Sequence, residues 1–123
     1  MRVILLVALG GGLGSVFRYL TSVVVNKYSQ LPFPYATFIV NILGCFLIGL
    51  FLGLLERYQL TNSDLKFFLI TGFCGGLTTF STFSNENVSL AQANLLFTAL
   101  LYIGLSLFLG ITATWLGLLT SKL

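Results

Sequence analysis

The sequence predicts an all-α membrane protein of four transmembrane helices, the third of them broken, and three observations predict it. Hydrophobic side chains make up 57% of the 123 residues and charged ones 7%, with a mean hydropathy of +1.02, far outside the usual range of soluble domains. A transmembrane helix consumes about 20 apolar residues, so this length holds four spans, short connections and no water-soluble catalytic domain. Three apolar stretches are long enough to cross the hydrocarbon unaided, and one is interrupted by a polar run. The chain therefore reads as one four-helix unit over 1–123, with spans at about 3–25, 35–55, 66–93 (broken near 75–81) and 95–119.

The first span is interrupted only by Arg18 and ends at a turn-forming stretch containing Lys27, Pro32 and Pro34. Its apolar stretch is too long for a signal peptide and no cleavage site of small residues follows, so it is read as a retained span. The second stops at Glu56 and Arg57, after which Thr61 and Asp64 have the spacing of a helix-starting capping box. In the third, Phe67 to Leu77 gives only about 11 largely apolar residues before the run Thr78-Thr79-Phe80-Ser81-Thr82-Phe83-Ser84-Asn85-Glu86-Asn87, too few to cross the bilayer. Gly75-Gly76 is the expected point of unwinding, and backbone freed there must be sheltered by protein or a water-filled cavity. The fourth span is long and uninterrupted.

Gly10 with Gly14 and Gly49 with Gly53 stand four apart, which predicts smooth helix faces where another backbone approaches closely. The run Gly10-Gly11-Gly12-Leu13-Gly14 is no dinucleotide loop, because the G-x-G-x-x-G spacing fails at Ser15. Four spans put both termini on one side with Arg57 and Lys66, against Lys27 and Arg18 on the other, a modest bias of four basic residues to two that permits insertion in both orientations.

The six basic and three acidic residues are scattered singly, which excludes the basic cluster of a nucleic-acid partner. There is no histidine, no paired carboxylate and no acid but Glu86 away from the membrane edges, so acid-base and triad chemistry lack their players; the chain is not an enzyme. Cys45 and Cys74 read as small buried hydrophobes, and Thr112 and Thr114 as hydroxyls bonded to their own helix. The stretch around Phe80 and Phe83 is different. On a helix these two share a face, with hydroxyls at nearly every position around them. Phenyl edges carry the positive part of the ring quadrupole, and neutral donors replace the waters of a small anion without holding it too tightly to leave.

The string Gly75-Gly76-Leu77-Thr78-Thr79-Phe80-Ser81-Thr82-Phe83-Ser84, with Asn41 in the second span and Arg18 in the first, resembles the CrcB/Fluc fluoride channels over essentially the whole chain. The resemblance implies a fluoride-selective passive channel in the cell (inner) membrane that exports fluoride and lowers its cytoplasmic toxicity. It further implies an antiparallel, dual-topology homodimer in membrane lipid, with two fluoride pores and a structural Na+ at the dimer interface. By position, Asn41 matches the pore asparagine, Phe80 and Phe83 the pore phenylalanines, and Ser81 and Thr82 neighbouring hydroxyls of the broken helix. Gly75 and Thr78 match the residues whose carbonyls hold the sodium, and Thr114 part of a polar track on the fourth helix. Arg18 stands at the vestibule. Relatives often carry Gly-Ser one turn before that threonine, where this chain reads Leu109-Gly110, so one hydroxyl of the track is missing.

Two readings of other classes compete. A small multidrug exporter would share the four spans and the antiparallel pairing, but uses a membrane-embedded glutamate in its first helix, which is absent here. A structural subunit or assembly factor would conduct nothing.

Overall fold

The computed structural model describes residues 1–123, and it is entirely helical, with four helical segments long and apolar enough to cross a membrane. The first, α1, is Arg2–Tyr28 and the second, α2, is Tyr35–Arg57. The third segment, Asp64–Gln92, is divided: α3 covers 64–77, and α4 is Phe80–Gln92. The last, α5, is Leu96–Ser121. These agree with the predicted spans to within three residues at each end.

α1 packs chiefly on α3, and α2 chiefly on α5. Small residues set both pairings. A Cβ at Gly10 would collide with the Phe68 carbonyl, one at Gly14 with the Phe73 carbonyl and one at Gly76 with the Gly11 carbonyl, so α1 and α3 touch backbone to backbone. Across the other pair, Gly49 lies against the Thr114 carbonyl, Gly53 against Ser121 Oγ and Gly117 against the Phe46 carbonyl. Both glycine pairs foreseen as packing faces therefore act inside the chain. Close backbone approach is the usual basis of helix association in lipid, where apolar burial drives little.

Two expectations need correcting. No Thr61–Asp64 capping box forms: Ser63 precedes the helix, without a side-chain cap bond, and the Asp64 carboxylate instead meets Arg2 at 2.7 Å. Nor does the chain unwind at Gly75-Gly76, because Gly75 to Leu77 remain helical and the break falls at Thr78 (φ −86°, ψ 156°) and Thr79 (φ −151°, ψ 122°). Gly76 is used for the seat of α3 on α1, and partners for the freed backbone are available only two to three residues later. Most of α3, Phe67–Cys74, is wound as a π-helix, a form that tends to occur at functional sites. Even at the α-helical rise of about 1.5 Å per residue α3 would reach no more than roughly 21 Å, so the break lies inside the hydrocarbon.

Only 18 residues are buried within the single chain, while large apolar residues such as Leu9, Leu13, Phe108 and Ile111 lie on its outer faces. That distribution suits lipid and partner helices, not water. One compact core does form, where Leu90, Ala99 and the fully buried Tyr102 are packed by Phe33, Phe38, Phe83 and Leu95. It fixes α4 against α5 and draws in the connection after α1, since the Phe33 ring meets Tyr102 edge-on at 5.2 Å. Links at one end, Arg2 with Asp64 and Arg57 Nη1 with the Ser121 carbonyl (3.0 Å), place both termini on the same side, as an even number of spans requires.

Candidate functional site

A helix break inside a membrane leaves backbone groups that must find partners, because water is scarce there. The Thr78 carbonyl and both backbone groups of Thr79 are met by side chains. Asn41, from α2, holds Thr79 from both directions: its Oδ1 accepts the Thr79 N–H at 2.8 Å and its Nδ2 donates to the Thr79 carbonyl at 3.1 Å. Arg18, from α1, donates through Nη1 to the Thr78 carbonyl at 3.2 Å. The Thr82 N–H that would otherwise close on that carbonyl bonds Thr79 Oγ1 at 3.3 Å, so Thr79 caps α4. Thr78 turns back, its N–H and hydroxyl both reaching the Cys74 carbonyl.

Two cavities meet at this break, and Thr79 lines both. The larger, about 420 Å³, is walled by Asn41, Phe80, Phe83 and Ser106, with Gly75, Thr78, Cys45 and Cys74 also on its surface. The smaller, about 290 Å³, has Arg18, Ser15, Ser22, Thr37 and Thr82 in its wall beside Tyr19, Ala36 and Val40. Phe80 and Phe83 lie with centroids 5.8 Å apart, as their spacing predicted. Phe83 is anchored edge-on against Tyr102 at 4.9 Å, whereas Phe80 stands 79% exposed on the single chain.

The fluoride-pore candidates thus separate. Asn41, Phe80 and Phe83 come together on the larger cavity, while Thr82 joins Arg18 on the smaller. Ser81 is exposed, its hydroxyl 3.4 Å from that of Thr79, and lines neither. Thr114 also lines neither, and its hydroxyl donates to the Gly110 carbonyl at 3.1 Å. Thr112 likewise bonds its own helix, at the Phe108 carbonyl. Gly75 and Thr78 lie together on the larger cavity. Both cysteines are free, Cys74 buried and Cys45 half-buried.

Sequence reasoning missed Ser106 and Tyr102 and gave Glu86 no role. The Ser106 hydroxyl, Tyr102 hydroxyl, Glu86 Oε1 and Asn87 Oδ1 are buried without a hydrogen-bond partner of good geometry. The Glu86 carboxyl sits beside the Thr37 and Tyr102 hydroxyls. Unsatisfied polar atoms are rare in protein interiors and mark places where a water or ion belongs. The signal was available in the spacing, since Tyr102 and Ser106 continue in steps of four the face that Thr114 begins.

Chemically, Asn41 has one amide hydrogen engaged at Thr79 and a second free of any partner in the chain. With the ring edges of Phe80 and Phe83 and the Ser106 hydroxyl around the same space, the cavity offers neutral donors and no cationic side chain. Such a lining suits a small, hard, poorly polarisable anion that must enter and leave.

Comparison with known proteins agrees with this description. Residues 5–118 match the family model described as CrcB-like protein, Camphor Resistance (CrcB). The chain is 62% identical over 122 residues to the fluoride-specific ion channel FluC of Flavobacterium psychrophilum, covering 99% of this chain and 98% of that one. It is 43% identical over 122 residues to the FluC of Azobacteroides pseudotrichonymphae, with the same coverage, and 46% identical over 122 residues to that of Phocaeicola vulgatus, covering 99% and 100%.

Proposed function

From the premise that this chain belongs to the CrcB-like family, whose relatives named above are fluoride-specific ion channels, we propose that it is a fluoride-selective passive channel. It is a multi-pass membrane protein and not an enzyme. In the cell (inner) membrane such a channel lets fluoride leave the cytoplasm and so limits its toxicity. The observation that carries the reading is the shared cavity of Asn41, Phe80 and Phe83, next to a break at which Asn41 already satisfies both backbone groups of Thr79. Because Asn41 and Arg18 meet the backbone's demands, the remaining amide hydrogen and the ring edges are free to replace fluoride's hydration. Ser106 and Tyr102 extend this line of donors along α5, in place of the hydroxyl absent at Gly110.

The working unit is an antiparallel homodimer. Phe80 exposed on the chain's surface, beside an open cavity, supports this: a second copy placed there would bury the ring and close the pore. Charge counting supports it less than the sequence suggested. Arg18 reaches the break, so the ends carry four basic residues against one.

A structural sodium at the dimer interface fits the donors present. The break diverts the Thr79 N–H from the Gly75 carbonyl to Asn41, and the Thr78 carbonyl keeps one lone pair beyond its bond to Arg18. Gly75 and Thr78 from two copies would hold the ion with four hard oxygens, supplying charge that stabilises the break. It is not transported.

The test is efflux of fluoride against chloride from liposomes containing the purified chain, with no proton gradient. Fluoride loss without chloride loss is expected. Fluoride loss only under an imposed gradient would favour an exporter, and no loss at all a structural subunit.

A further inference from the structure

The smaller cavity invites the reading that Arg18 collects anions at the pore mouth, but its geometry assigns it other work. We propose that Arg18 is a positioning residue that holds the Thr78 carbonyl and thereby fixes the helix break, setting the channel's maximal conductance and not the fluoride concentration at which it half-saturates. This rests on the fluoride-channel reading.

The Thr78 carbonyl is orphaned by the break, since the Thr82 N–H that would complete a helical turn with it is held by Thr79 Oγ1. Arg18 Nη1 is the donor that meets it. The reach of Arg18 is not a matter of a loose side chain, because Gly14, one turn earlier, seats α1 directly on the backbone of Phe73 and Leu77. Asn41 enters from α2 and grips the next residue at both its N–H and its carbonyl. Two helices therefore hold consecutive residues, and Phe80 follows immediately. Without Arg18 the Thr78 carbonyl is left to recapture the Thr82 N–H, which would rewind the break and re-aim Phe80, the next residue along. An anion collector requires none of this. It requires only charge, and it would raise local fluoride in a way that inert salt screens.

The two roles part in a concentration series of fluoride currents from reconstituted channels. Arg18→Met keeps length and removes both donor and charge; Arg18→Lys restores a donor of nearly the same reach. Positioning predicts that Arg18→Met lowers maximal conductance about tenfold or more, leaves the half-saturating fluoride concentration within about twofold, and is largely rescued by Lys. It also predicts that a fluorine label on the Phe80 ring shifts in the NMR spectrum of Arg18→Met and returns in Arg18→Lys. A raised half-saturating concentration, with or without a lower maximum, overturns the proposal, as does a Met variant that conducts normally or leaves the label unmoved. Should Arg18→Met fail to assemble, the wild-type channel decides: half-saturation unchanged between low and high gluconate salt supports positioning, and a rise with salt overturns it. A wild-type protein that conducts no fluoride would sink the channel reading itself, an outcome distinct from any of these.

Discussion

Asn41 grips both backbone groups of Thr79 with an amide hydrogen to spare for an anion, and the predicted effect of its replacement follows from that. Asn41→Asp removes both donated hydrogens and places a carboxylate oxygen against the Thr79 carbonyl. A like charge about 4 Å from a passing anion costs about 4 kcal/mol at an effective dielectric of 20, so fluoride efflux should fall roughly a thousandfold. Normal efflux from a well-folded Asn41→Asp protein would remove Asn41 from the pore. Phe80→Ile and Phe83→Ile keep apolar bulk and lose the ring edge, worth about 0.5–1.5 kcal/mol per aromatic contact, so each should slow efflux about two- to tenfold. They should differ in stability. Phe83→Ile gives up the edge-on contact with Tyr102 and should lower the melting temperature, while Phe80, free of that core, should not. The identity of these residues was legible in the sequence because aromatic and hydroxyl side chains cluster so densely there. That Asn41 binds the backbone at Thr79 was not, since the two are 38 positions apart and nothing local announces the pairing.

Among the elements, the helix positions followed from apolar length alone, and the glycine faces from their spacing of four. The break was misplaced by two to three residues because glycine, the residue that most easily leaves a helix, was not the residue whose backbone had partners outside it. Asn41 and Arg18 reach Thr78 and Thr79, and those partners, not local flexibility, fix the site of unwinding. The π-helix Phe67–Cys74 had no sequence signal at all: in eight almost wholly apolar residues no periodicity distinguishes one winding from another. The glycine contacts give a sharp test of the element packing. Gly14→Ala drives a Cβ into the backbone of Phe73 and Leu77, where nothing flexible gives way, and should cost about 1–3 kcal/mol. Gly12→Ala meets nothing within 4 Å and should be neutral or stabilising by up to about 1 kcal/mol through helix propensity. Thermal unfolding in detergent by circular dichroism separates the two, and equal melting points would mean that the seat of α1 on α3 is looser than described.

At the scale of the whole molecule, the single chain leaves much apolar surface and an open cavity uncovered, with Phe80 at the rim. Composition foretold the membrane and the count of four spans, but not what closes the cavity, because the same residues serve equally to face lipid or a second copy. Antiparallel pairing predicts that labels at the termini are found on both sides of the native membrane, and a single orientation would contradict it. If sodium is held at Gly75 and Thr78, long exchange into a large organic cation should lower fluoride flux, and a high-resolution anomalous map should show the ion between the breaks. Full flux from verified sodium-free protein would exclude that site.

The central claim, passive and selective conduction of fluoride, is met most directly by the reversal potential of a planar bilayer containing the purified protein, with fluoride on one side and chloride on the other at equal pH. A passive fluoride channel gives a steady current that reverses close to the fluoride equilibrium potential and stays there when a pH gradient is added. Reversal near zero, or a potential that follows the proton gradient, would contradict it.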